Sequence, residues 1–243
     1  MSQWSEGASL RNVSVSSQKA TSVLAPLKGG LVVSCQVPDD TAIDTPDFIA
    51  AQALTVIQAG AIGIRAQGIA NVTAISRVAH VPIIGLVKRY LNSTPIYITP
   101  TVPDVIELEQ AGASIVAVDA TERLRPDRLD FETFFKHLRL ETNIPLLADV
   151  DSVEAAIIAE AVGCEAIATT LSGYTDKPAP PLPNIRLIEA IAKKVSVPLI
   201  AEGGFNQPNQ VSQALDAGAW AVCIGTAITN PFLLTKSFIE GLG

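Results

Sequence analysis

The chain has 243 residues, 48% of them apolar and 17% charged, and a net charge of −7. An acidic chain without a basic cluster excludes nucleic acid as the expected partner. No apolar run approaches the ~18–20 residues of a membrane-spanning helix, so no membrane partner is expected. The Ser-rich first ~25 residues lack the apolar stretch of a secretory signal, so a cytoplasmic location is expected. Residues 1–26 read as a disordered or loosely packed N-terminal extension and residues 27–243 as a single domain. The three cysteines, Cys35, Cys164 and Cys223, lie in or beside strand-like runs and read as buried free thiols.

In chain order, Leu31–Cys35 after Gly29-Gly30 reads as the first strand. Thr45-Pro46 is an N-cap with Pro in the first turn, opening a helix that runs to Ala59 and stops at Gly60. Strand Ala61–Arg65, a helix around Val72–Ala79 and strand Ile83–Val87 follow. Ile96–Thr99 alternates like a strand, but only about eight residues separate it from Val87, too few for the crossover helix of a parallel neighbour. It reads instead as a short excursion before the helix Val102–Gln110. Next come strand Ile115–Asp119, a helix around Phe131–Leu140 and strand Leu146–Asp149. Asp151-x-x-Glu154 is a capping signal for the following helix. Strand Ala166–Thr170 opens into the long, Pro-containing loop Leu171–Pro183, expected to be a lid or a dimer contact. Strands Leu199–Glu202 and Ala221–Gly225 and a helix from about Pro231 complete the chain.

The strand starts carry a regular punctuation. Gly60, Gly112, Gly163 and Gly218 end helices before one set of strands, and Val81-Pro82, Ile144-Pro145 and Val197-Pro198 open the interleaved set. With Leu31–Cys35 in front, this alternation describes eight βα units. A two-unit repeat of roughly 50 residues over that length implies an α/β fold, a single closed (β/α)8 TIM barrel. In such a barrel the chemistry sits at the C-terminal strand ends.

Those ends carry Gln36, Arg65, Lys88, Asp119, Asp149, Thr170, Glu202 and Gly225-Thr226. One such residue is an ordinary loop entry, but a full rim of them points to an active site. Gly203, Gly204, Gly225 and Thr226 close the last two strands, where backbone N–H groups and a hydroxyl can hold a phosphate. Lys88 follows five apolar residues, so its amine is presented at the mouth, where desolvation and a cationic neighbour, Arg65 or Arg89, would favour the neutral base. A lysine pairing with a phosphate or carboxylate is the competing reading. Glu202 needs a partner if it faces the barrel interior. His80 precedes the third strand at the opposite face and His137 sits in an outer helix, which argues against His-based chemistry and a His-bound metal. No Gly-rich dinucleotide fingerprint opens the first unit, so no cofactor is expected.

The segments Leu27–Gln36, Ile64-Arg65-Ala66, Gly85–Arg89, Ile98–Thr101, Asp119-Ala120-Thr121 with Arg125-Pro126, Thr169–Thr175, Ala201-Glu202-Gly203 and Ala227-Ile228-Thr229 together resemble the N-acetylmannosamine-6-phosphate 2-epimerase family. The resemblance covers about residues 27–240. It implies reversible conversion of N-acetylmannosamine 6-phosphate to its glucosamine epimer in amino-sugar and sialic acid catabolism, without metal or nucleotide, by an enzyme that is often a homodimer. It assigns the acid/base pair to Lys88 and Glu202, and substrate contacts to Gln36, Arg65 and Asp149, beside which Thr170 is a further substrate-binding candidate. This chain departs from the family pattern at Gly204 and Asn230, where a basic residue is usual, and the rival readings are another phosphosugar isomerase, a Schiff-base aldolase using Lys88 and a non-catalytic sugar-phosphate sensor.

Overall fold

The computed structural model describes residues 20–38, 41–175 and 179–242. Eight strands form a closed, all-parallel barrel in sequence order: β1 Leu31–Cys35, β2 Gly63–Gln67, β3 Ile83–Leu86, β4 Ile115–Asp119, β5 Leu146–Asp149, β6 Ala166–Ala168, β7 Leu199–Glu202 and β8 Ala221–Ile224. The barrel closes through β1 and β8, where Val32 is in register with Cys223. Around it lie α1 Pro46–Gln58, α2 Ile69–Ser76, α3 Val102–Gln110, α4 Phe131–Glu141, α5 Val153–Val162, α6 Ile185–Ala192 and α7 Pro208–Asp216, followed by the short α8 Thr226–Thr229 and α9 Pro231–Glu240.

The strand period of two divides the apolar residues into two layers. Val32, Ile84, Leu147 and Ile200 point into the barrel, whereas Val33, Ile64, Val116 and Ala148 pack outward against the helices. Because helices cover the whole outside, the strands read as nearly continuous apolar runs. The N-terminal end of the barrel is stoppered from below. Residues 20–24 are helical, and buried Leu24 and Leu27 join the interior cluster. Gly63 makes room for this plug, since a Cβ there would lie 2.6 Å from Leu27 Cδ2. Of the expected extension 1–26, residues 1–19 lie outside the described residues, and residues 20–26 belong to this plug.

Local signals at the helix starts hold where they are strongest. Thr45 caps α1 by accepting from Phe48 N at 3.3 Å, and Thr101 with Asp104 forms a full capping box on α3. The cap of α5 differs from expectation: Ser152, not Asp151, accepts from Ala155 N at 3.1 Å. A hydroxyl one residue later captures the same helix start. The helix expected over Val72–Ala79 is Ile69–Ser76, and β6 and β8 stop before Thr170 and Gly225. The second strand is displaced as well. Ladder pairing of Val32 with Gly63 shifts it to Gly63–Gln67, so Arg65 occupies mid-strand rather than the strand end.

Candidate active site

The C-terminal end of the barrel opens into a cleft of about 800 Å³, within the usual range for small-molecule sites. Gln36, Arg65, Lys88, Thr170, Glu202, Gly203, Gly204, Gly225 and Thr226 all line it. Asp149 does not reach the wall; it is fully buried behind Arg65. Asp119 turns away altogether, accepting from Thr121 and pairing with Arg123 Nη2 at 2.6 Å. His80 and His137 are exposed and outside the cleft lining, and Cys35, Cys164 and Cys223 are all free and buried. Among the described residues no group of three or more His, Cys, Asp or Glu is arranged to hold a metal ion.

Lys88 stands just beyond β3, where the excursion at Ile96–Thr99 returns antiparallel to it. An isolated bridge pairs Lys88 with Ile98, Arg89 N donates to Tyr97 O at 2.9 Å, and Thr99 N donates to Val87 O at 2.8 Å. The expected excursion thus fixes the backbone on both sides of Lys88. Its Nζ donates to Gln36 Oε1 at 2.8 Å, and Gln36 Nε2 donates in turn to Ser34 Oγ at 2.8 Å. Arg89, expected beside the amine, instead binds Asp104 and Glu107 on α3. One residue beyond Lys88, its side chain leaves on the outer side.

Arg65 reaches the interior because it shares the inward face of β2 with Gly63. Its Nη2 lies 2.6 Å from Asp149 Oδ2, and its Nη1 lies 3.0 Å from Asp149 Oδ1 and 2.9 Å from Glu202 Oε2. Thr170 Oγ1 is 2.7 Å from Asp149 Oδ1 and 3.1 Å from Glu202 Oε2. A buried cation is tolerated only with such partners. Burial works to lower the Arg65 pKa, but Asp149 and Glu202 outweigh it and hold the guanidinium charged. Arg65 Nε, also buried, has no hydrogen-bond partner among the described residues. Burial pushes the Glu202 carboxyl up; Arg65 opposes this and the charge of Asp149 adds to it. Glu202 therefore retains a proton to higher pH than an exposed carboxylate.

The glycine end has a different construction. Gly203 and Gly204 have φ of 115° and 73°, a backbone that a side chain would strain. A Cβ at Gly204 would meet Leu182 Cβ at 2.3 Å, so Leu182 occupies the space that a basic side chain at Gly204 would have to cross. Asn230 is committed to capping α9, accepting from Leu233 N at 2.9 Å. Tyr90, Tyr97 and Tyr174 also line the cleft, and sequence reasoning missed them, as it missed Ser34 and Cys223. The period-two spacing of Ser34 and Gln36 was a readable signal for Ser34. Tyr97 lies in the alternating run Ile96–Thr99, whose period could have placed it, whereas Tyr90 and Tyr174 lie in loops without period.

The class defined by this fold and cleft is a (β/α)8 barrel that gathers a lysine and a buried carboxylate at its C-terminal mouth. Residues 49–243 match the NanE family model, described as "Putative N-acetylmannosamine-6-phosphate epimerase". Two curated relatives carry the name "Putative N-acetylmannosamine-6-phosphate 2-epimerase". The protein of Thermosynechococcus vestitus is 40% identical over 89% of this chain and 94% of its own, and that of Shigella dysenteriae is 43% identical over 83% and 86%. The solved N-acetylmannosamine-6-phosphate 2-epimerase of Clostridium perfringens superposes with a TM-score of 0.82 at 36% identity, covering 89% of this chain and 95% of that one. A thiamine phosphate pyrophosphorylase of Pyrococcus furiosus, with a TM-score of 0.58 and 16% identity, shares the fold alone. The chain belongs to the NanE epimerase family.

Proposed function

We propose that the cleft interconverts N-acetylmannosamine 6-phosphate and N-acetylglucosamine 6-phosphate, a step of amino-sugar metabolism, by moving the proton at C2. The observation that carries this reading is the opposition of Lys88 and Glu202, on units three and seven of eight, across one cleft. Epimerisation requires a proton to leave one face of C2 and another to arrive on the opposite face. Lys88 would remove the C2 proton of the open-chain aldehyde, and the electron pair would move into the C1–C2 bond to give an enolate at the C1 oxygen. Arg65 and Gln36 are the nearest candidates to donate to that oxygen. Glu202, whose carboxyl burial pushes up, would return a proton to the other face. Family membership and the backbone donors of Gly203, Gly204, Gly225 and Thr226 support a phosphate held at the glycine end, anchoring C6. Thr170 and Asp149 hold Arg65 and Glu202 in position.

Incubation in heavy water with N-acetylmannosamine 6-phosphate is expected to place deuterium at C2, seen by NMR. Lys88→Ala is expected to lose roughly 10²–10⁴-fold in exchange rate; full exchange by that variant would remove Lys88 from its role. No described helix is long and apolar enough to cross a membrane. The reading puts the enzyme in the cytoplasm, where its charged substrate would be retained. We further read the enzyme as a homodimer. None of the residues of α9 is buried, and Phe238, Ile239 and Leu242 are 78%, 61% and 85% exposed, an apolar surface suited to a second copy. Light scattering that returned a monomer mass would end that reading.

A further inference from the structure

Tyr90 and Tyr97 stack with ring centroids 5.5 Å apart and planes 14° from parallel, and both line the cleft. Tyr97 packs on the apolar barrel interior, whereas Tyr90 is 73% exposed. The pair stands on the same antiparallel excursion that fixes Lys88: the bridge joins Lys88 to Ile98, and Tyr97 O accepts from Arg89 N. Burial first, then Asp149, Tyr174 and Tyr90, push the Tyr97 hydroxyl up to about 12, so it remains a donor at neutral pH.

The proposed C2 chemistry, on which this inference rests, locates the acyl nitrogen of the substrate. It is bonded to the carbon that Lys88 deprotonates, so the acyl group lies at the Lys88 end, away from the glycines that would hold the phosphate. The walls at that end are Gln36, Leu86, Ile98 and the two tyrosines. We propose that the Tyr90–Tyr97 stack is the N-acyl subsite, and that its open outer edge admits acyl chains longer than acetyl. The Tyr97 hydroxyl donates to the acyl carbonyl and the ring flanks the acyl carbons. Added methylenes run along the exposed Tyr90 face toward solvent instead of meeting a closed wall. Specificity for the acyl group is then loose, while specificity for C2 remains tight.

The test uses the full chain with N-acetyl-, N-propanoyl- and N-butanoylmannosamine 6-phosphate, read as deuterium incorporation at C2. A closed pocket discriminates by roughly 10–200-fold per methylene. The expected result is kcat/KM for the N-butanoyl compound within about fivefold of the N-acetyl one, well inside that range. Tyr90→Ala is expected to raise KM for the N-butanoyl compound more than for the N-acetyl one. Tyr97→Phe, which keeps the stack, is expected to raise KM for all three. A tenfold or larger loss per methylene in the wild type, or equal effects of Tyr90→Ala across the series, would overturn the subsite. Calorimetric binding of the corresponding N-acylglucosamine 6-phosphates separates the two readings. Absence of any exchange would remove the C2 chemistry, whereas relative affinities unaltered by Tyr90→Ala would remove the subsite.

Discussion

Cavities of similar size lie at the two ends of the barrel, about 770 Å³ beside the N-terminal plug and about 800 Å³ at the C-terminal mouth, yet their polar groups are treated in opposite ways. Beside the N-terminal plug, Arg139 grips both oxygens of Glu165 at 2.9 and 2.8 Å and donates to Ile144 O at 2.7 Å. Glu165 also accepts from Leu146 N at 2.8 Å, and Trp220 Nε1 donates to Leu24 O at 2.9 Å. Charge there is spent on tying strands to helices. At the C-terminal end one guanidinium serves two carboxylates, a buried Nε lacks a partner among the described residues, and Glu202 is pushed toward its acid form. Satisfied ion pairs stabilise a face; partly satisfied ones suit the proton transfer proposed for Glu202.

Arg65→Leu should break the contrast most severely. It leaves Asp149 and Glu202 buried without their cation, with an expected loss of about 3–5 kcal/mol in denaturant unfolding, together with activity. The loss should depend on pH in a definite direction. Without Arg65 the Glu202 carboxyl, already raised by burial, rises further and the folded state binds the extra proton. Stability of the variant should therefore recover as pH falls toward the range where unfolded carboxylates titrate, near 4, and decline as pH rises above it. A deficit that did not vary with pH would mean the network is not charged as described.

Leu27→Ala tests the other end. It removes a fully buried plug residue and should cost about 2–5 kcal/mol, while the C2 exchange rate per folded molecule stays at the wild-type value. A large change in exchange would show that the two ends are coupled. The smallest effect is expected from Thr170→Val, about 1 kcal/mol in stability from loss of the hydroxyl shared between Asp149 and Glu202. Removing that donor disfavours ionised Glu202, so the limb of the pH–rate profile that Glu202 controls should move to higher pH. An unmoved limb would mean that Glu202 does not control it.

Much of this was legible in the chain because the signals are local. The Gly and Pro punctuation marks the strand starts, and β1, β4, β5 and β7 have the expected bounds, since each is an apolar run closed by an unambiguous turn. The helix start at Thr45-Pro46 is legible for the same reason. Boundaries failed where pairing across the sheet decides them. Nothing in Ala61–Arg65 reveals that the ladder with β1 begins at Gly63, and that shift carries Arg65 from the rim into the interior. Asp149 was readable as a polar strand end but not as a residue hidden behind Arg65.

By itself, then, the sequence determined the repeating scaffold and the polar residue types at its C-terminal rim, because turn chemistry and apolar runs act over a few neighbouring residues. The tertiary structure alone decided which of those groups meet. Arg65 finds Asp149 and Glu202 across the closed interior, Lys88 finds Gln36, and two tyrosines stack beside it. Register and closure bring together side chains distant along the chain, and the energy of burying charge then requires them to pair.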